Sequence, residues 1–185
     1  HFAELTDLVR AVHGWRRCPP GVSRTHAVHG VGPATARIMV GGEAPGQNED
    51  QQGEPFVGAA GKLLDQLLRG IGLSRGDVFI TNILKCRPPN NRDPQPTEVQ
   101  ACSPYLEQQL KLIKPEVVGL LGRHALARLR PGQDSITRIH GRLIRTAGVS
   151  YIPVCHPAPA PSHRLPPAPP STSPPAGSAP THPRE

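Results

Sequence analysis

The sequence predicts an α/β fold, a three-layer α/β/α arrangement around a mostly parallel, four-stranded central sheet. Two observations carry this. Short apolar runs alternate with amphipathic segments in the order α, β, α, β, α, β, α, β, the pattern of strands joined by helical crossovers. Unusual polar residues also follow the ends of the apolar runs, at the sheet edge where such folds bind ligands.

The elements follow in order. "FAELTDLVRAVHGW" (2–15) places Phe2, Leu5, Leu8, Val9 and Val12 at helical spacing. "ARIMVGG" (36–42) is a short apolar run closed by glycines, which reads as a buried strand. "AGKLLDQLLRGIGL" (60–73) sets Leu63, Leu64, Leu67 and Leu68 on one helical face, with Gly70 and Gly72 as stop signals. "DVFITNILKC" (77–86) reads as the second strand. A helix over 96–114 carries Val99, Cys102, Leu106 and Leu110, in spite of Pro104 near its start. "PEVVGLLG" (115–122) is a third strand, "RHALARLR" (123–130) a short helix, and "SYIPVCHP" (150–157) a fourth strand stopped by Pro157.

Of the 185 residues, 24 are proline, and eleven of these fall within residues 157–185, where large apolar side chains are scarce. Such a stretch buries too little surface to offset its ordering entropy, so a disordered or polyproline-like tail is expected. Residues 1–156 are then one folded domain. The first residue is His rather than Met, which puts the expected natural start upstream. A net charge of +7 and a pI near 9.8 favour a polyanionic partner. No apolar run is long enough for a membrane-spanning helix, and the amphipathic N-terminus does not resemble a signal peptide. A cytoplasmic monomer is expected.

The loop "GGEAPGQNEDQQGEPFVG" (41–58) lacks both the G-x-G-x-x-G and the Gly-Lys-Ser/Thr patterns, which removes dinucleotide and P-loop readings. Its carboxylates Glu43, Glu49, Asp50 and Glu54 oppose a phosphate cradle. A solvated acidic loop stays open as the plain alternative, and Phe56 is either a core ring or a flat surface for a ligand. Asn82 is a turn former or a polar reader at a strand end. His156 is a backbone-bonding histidine or a site residue. Cys18, Cys86, Cys102 and Cys155 read as small buried hydrophobes or as metal ligands.

Five strings appear together in one order: "GEAPGQNEDQQGEPFVGAAGKLLD", "TNILKCRPPNNRDPQPTE", "ACSPYLEQQLKLIKPEVVGLLGRHA", "SITRIHGR" and "YIPVCHPA". In these the chain resembles the family 4 uracil-DNA glycosylases, iron–sulfur enzymes of the wider uracil-DNA glycosylase superfamily. The resemblance covers roughly residues 31–158. It implies removal of uracil from DNA in base excision repair, with uracil-containing DNA as partner, a [4Fe–4S] cluster and no nucleotide cofactor. Asn82 would read the uracil edge, Phe56 would stack on the flipped ring, and His156 would donate to uracil O2. Gly42, Ala44 and Gly46 would shape the site of the attacking water, with Glu43 as the group that orients it. Asn91, Arg138, His140 and Arg142 would lie near the DNA backbone. A related branch uses the histidine of an R-I-H string covalently, but R-I-H-G here also suits an ordinary hydrolase.

Two departures stand out. The family holds its cluster with C-x-x-C near the N-terminus and two later cysteines. Cys18, Cys86 and Cys102 match three places and Trp15 stands at the fourth, with His13 the nearest alternative ligand. Cys155, beside His156, is a poor candidate. After His156 the family continues into an apolar, basic segment and a last helix, whereas this chain turns proline-rich and offers only Arg164 and Leu165 as a hint of a wedge. That end resembles a frame-shifted or degenerate one.

Overall fold

A computed structural model describes residues 4–16 and 18–156. The proline-rich tail, Phe2, and the Arg164–Leu165 wedge lie outside these described residues. Helix α1 is Leu5–Gly14, strand β1 Ile38–Gly42, α2 Gln47–Gln52, α3 Ala59–Gly70 and β2 Val78–Asn82. They are followed by α4 Pro96–Ile113, β3 Val117–Leu121, α5 Arg123–Leu129, α6 Ile136–Ile139, β4 Ile144–Thr146 and β5 Val149–Val154.

Among the described residues, five strands lie in the order β2-β1-β3-β5-β4. The pairs β1–β2, β1–β3 and β3–β5 are parallel, and only the edge strand β4 runs antiparallel, against β5. The four strands expected from the apolar runs are therefore present, and β4 is a fifth. It is three residues long and turns back through Ala147 (φ 46°) and Gly148 (φ 84°). Two successive left-handed residues match the twist of a tight hairpin. An alanine in the first of those places hides the turn from sequence reading.

Successive residues of a strand face opposite sides, and this splits the core in two. Met39, Phe79, Val118 and Leu120 meet Leu106 and Ile113 of α4 and Ala125 and Leu126 of α5. Val40, Val78, Ile80 and Leu121 meet Leu64 and Leu68 of α3 on the other side. On α3 only this i, i+4 pair and Gly61, one turn before it, are buried. Leu63 and Leu67, expected on the same face, are one position round the helix and stay exposed, as does Ile71 beyond its end. The expected second strand is also shorter than its apolar run. Ile83 to Cys86 are buried, yet Ile83 and Leu84 donate to the carbonyls of Gly42, the last residue of β1, and of Glu43 just past it. Apolarity marks burial, and by itself does not distinguish sheet from a buried connection.

Buried polar groups join these layers. Lys85 is fully buried, and its Nζ donates at 2.7 Å to each of Thr81 Oγ1, the Asn82 carbonyl and Gln109 Oε1. Thr81 and Gln109 in turn donate to the His29 carbonyl. The His29 ring shares a 3.1 Å hydrogen bond with His13. Burial, then the nearby His13, pushes the His29 imidazole down to about 4 from its ordinary 6.5.

The native state therefore binds fewer protons than the unfolded chain between the two values. The contribution of His29 is level above pH 6.5 and falls as the pH drops toward 4. Urea midpoints measured across that window should decline more steeply for the natural chain than for His29→Gln; parallel curves would refute the assignment.

Candidate active site and cysteine nest

The carboxyl ends of β1 and β2 lie side by side, with Gly42 opposite Asn82. A Cβ on Gly42 would come within 2.4 Å of both Asn82 Oδ1 and the Phe56 ring. Glycine at this position is thus a packing requirement, because only hydrogen lets the amide and the ring approach. Asn82 is almost fully buried. It shares a cavity of about 150 Å³ with Ala44, Gly46, Glu49, Phe56, Ala60 and His156. The rings of Phe56 and His156 have centroids 6.2 Å apart and are inclined by 28°. Five sequence-selected residues (Ala44, Gly46, Phe56, Asn82 and His156) are therefore brought to one cavity, with Gly42 beneath it.

The loop around the cavity is held by acceptors rather than left solvated. Glu49 accepts from the Gly46 amide at 3.1 Å and from Val57 and Gly58 at 3.0 and 2.9 Å, so it ties the two arms of the loop together. Asp50 is buried and accepts from the Thr25 and His26 amides. Glu49 is legible only as an acceptor three residues after Gly46, the glycine just before α2, the spacing of a capping box.

Phe56 adopts a left-handed backbone, φ 55°, which costs a non-glycine residue about 1–3 kcal/mol. Arg75 holds it there. One guanidinium nitrogen donates to the Phe56 carbonyl at 2.8 Å and the other to the Pro55 carbonyl at 2.7 Å. Gly61 leaves room for that carbonyl, since a Cβ there would sit 1.7 Å from it. Nothing in the sequence pairs Arg75 with Phe56.

Glu43 lies elsewhere. Its Oε1 accepts from the His124 amide at 3.2 Å, at the start of α5, beside Gly122. It forms a group with Asp93 and His124, whose ligand atoms lie within 4.8 Å of one another. Arg123 already pairs with that Asp93, which offsets the negative charge a cation would need. Glu43 does not line the 150 Å³ cavity. Asn91 accepts from Arg87 at 2.7 Å, while Arg138 and Arg142 are exposed. His140 is also exposed, but its Nδ1 accepts at 3.0 Å from the Cys155 amide, immediately before His156.

A second cluster lies beneath the loop. Cys18, Cys86 and Cys102 are fully buried together with Leu84, and Trp15 packs against them. The Cys18 and Cys102 sulfurs are 3.8 Å apart, Arg24 donates to Cys86 Sγ at 2.8 Å, and the Lys85 amide donates to Cys102 Sγ at 3.4 Å. Hydrogen bonds from Cys102 and Cys18, with help from Arg24, hold Cys86 down to about 3, while the same sulfur contacts push Cys18 up. Cys155 is exposed, and His13 is exposed and engaged with His29.

Residues 29–170 match the model of the uracil DNA glycosylase superfamily. The chain belongs to the uracil-DNA glycosylase superfamily. It is 48% identical over 162 residues to a type-4 uracil-DNA glycosylase of Archaeoglobus fulgidus, covering 83% of this chain and 81% of that protein. It is 46% identical over 158 residues to the type-4 enzyme of Thermotoga maritima, covering 84% and 82% respectively. A type-5 uracil-DNA glycosylase of Pyrobaculum aerophilum is less similar, at 34% over 145 residues. The five-stranded, mostly parallel sheet is an α/β fold consistent with that superfamily.

The glycine opposite Asn82 gives a direct check. Gly42→Ala should lower the free energy of unfolding by about 1–3 kcal/mol through overpacking. Gly41→Ala, whose Cβ would meet nothing nearer than 3.9 Å, should cost less in the same denaturant titration.

Proposed function

We propose that this chain is a uracil-DNA glycosylase of base excision repair that acts as a monomer on uracil-containing DNA. One observation supports this most: a buried amide, an aromatic ring and an imidazole from three distant stretches of chain line a cavity sized for one planar base. A base within a duplex is unreachable, so the substrate nucleotide has to be flipped out.

The roles follow from the chemistry of the side chains. The Asn82 amide offers an acceptor and a donor, the complement of uracil N3–H and O4. Cytosine presents the opposite pattern, and each buried polar group left unpaired costs about 1–3 kcal/mol. Phe56 supplies a flat face for stacking. Water attacks the anomeric carbon of the sugar as the bond to the base breaks. The electron pair leaves with the base, and an N–H of His156 stabilises the charge developing at O2. The attacking water gives up its second proton to solvent, and the leaving anion takes one up from solvent.

Gly42, Ala44 and Gly46 let the loop approach the reacting carbon. Glu43 acts in this reading through the loop, since its carboxylate is engaged at the start of α5. His140 orients the segment that ends in His156, while Asn91, Arg138 and Arg142 face the phosphates. The basic balance of +7 favours that partner. No described helix is long and apolar enough to cross a membrane.

The cysteine nest supports an iron–sulfur cluster, because three buried sulfurs are the soft donors such clusters take. Cys18, Cys86 and Cys102 would hold it. A bound cluster would tie the segment after α1, the segment after β2 and α4 to one point.

A uracil-containing oligonucleotide, incubated with the full chain and then treated with alkali, should show strand scission. Asn82→Ala and His156→Ala should each lower kcat by about 10²–10³-fold, the usual loss for a preorganised group. DNA bound but left uncut would overturn the proposal. Glu43→Gln should retain most of the activity, and a loss as large as that of His156→Ala would instead make Glu43 the water-orienting base. Arg75→Ala, which frees the Phe56 turn, should raise KM about tenfold or more with a smaller change in kcat, and Arg75→Lys should restore part of it.

A further inference from the structure

We infer that the cysteine nest holds its iron–sulfur cluster through three thiolates and leaves one iron open to a small non-protein ligand beside the Trp15 indole. The inference rests on the cluster reading above and is independent of the glycosylase assay.

Four observations converge on it. First, the nest contains three cysteines, and the fourth described cysteine is the exposed Cys155 next to His156. Second, the ring packed on the nest is Trp15, whose Nε1–H is buried without a hydrogen-bond partner among the described residues. Indole is a donor only and ligates no iron. A buried donor without an acceptor is costly; sulfide, or a water or hydroxide on an open iron, supplies that acceptor. The ring is fixed edge-on to Tyr105, with centroids 5.2 Å apart and planes at 75°, so it does not readily swing away.

Third, the alternative nitrogen ligand is occupied elsewhere: His13 Nε2 lies 3.1 Å from His29 Nδ1. Fourth, the charge fits. A [4Fe–4S]²⁺ core with three thiolates carries one negative charge, whereas four thiolates would make two. Arg24 is the single buried arginine among the described residues, and it donates to Cys86 Sγ. Its other terminal nitrogen donates to the carbonyls of Val12, His13 and Trp15, so the same guanidinium fixes the backbone that carries the indole.

An iron without a protein thiolate is the one lost first. Mild oxidation converts [4Fe–4S]²⁺ into [3Fe–4S]⁺, Fe²⁺ and one electron, and ferricyanide accepts the electron. The full chain should be reconstituted with ferrous iron and sulfide without oxygen, titrated with ferricyanide, and followed by iron content, EPR and Mössbauer spectra. The natural chain should lose one iron per cluster and gain the EPR signal of a three-iron cluster. Trp15→Cys should keep four irons through the same titration. Trp15→Phe, which removes only the N–H, should still lose the iron and should shift the cluster's reduction potential.

A natural chain that resists oxidation as well as Trp15→Cys does would overturn the inference, because a fourth ligand would then exist. Iron retained by Trp15→Cys but never by the natural chain would overturn it as well. Iron absent from all three proteins would overturn the cluster reading itself, and uracil excision measured on the same samples would show whether the glycosylase reading survives.

Discussion

The parallel pairing of β1 with β2 is the constraint on which the site depends. In-register parallel strands end together, so Gly42 and Asn82 are neighbours before any loop is considered. The missing Cβ at Gly42 then lets the Phe56 ring and the Asn82 amide meet over the strand ends. Everything else at that edge adapts to this contact. Glu49 closes the loop over it, Arg75 fixes the turn that delivers the ring, and Lys85 holds the Asn82 carbonyl from below. The general rule that such sheets bind ligands at their carboxyl edge has a local cause here.

The two clusters are connected by very little chain. Asn82 lines the 150 Å³ cavity and Cys86 lies in the cysteine nest, with three buried residues between them. Lys85 serves both neighbours. Its ammonium donates to the Asn82 carbonyl and its backbone amide to Cys102 Sγ. A cluster in the nest would act as a fastening under β2, in the way a structural metal contributes folding free energy to a small domain.

Much of this was legible in the sequence, and the remainder was illegible for definite reasons. Strands β1, β3 and β5 and helices α3 and α4 show apolar runs or helical periods strong enough to read. Asn82, Phe56 and His156 stood out because each is polar or aromatic where its surroundings are the opposite. Helix α2, "QNEDQQ", has no apolar period at all; it forms because Glu49 and Asp50 are recruited as amide acceptors. β4 is too short to carry a period. Arg24 and Arg75 look like any surface arginine, since their partners Cys86 and Phe56 are 62 and 19 residues away. The partner of the Glu43 carboxylate, the His124 amide, lies 81 residues on and is invisible in the local sequence.

Holding Phe56 in a left-handed turn also changes where an entropy cost falls. Arg75, Gly61 and the buried ring itself leave this side chain one backbone state and few rotamers. Ordering a loose aromatic residue at the moment of association would take about 0.5–1.5 kcal/mol from the affinity. Here the ordering belongs to the folding equilibrium, where it is shared by the whole core. A ligand entering the cavity would meet a surface that has already given up its freedom.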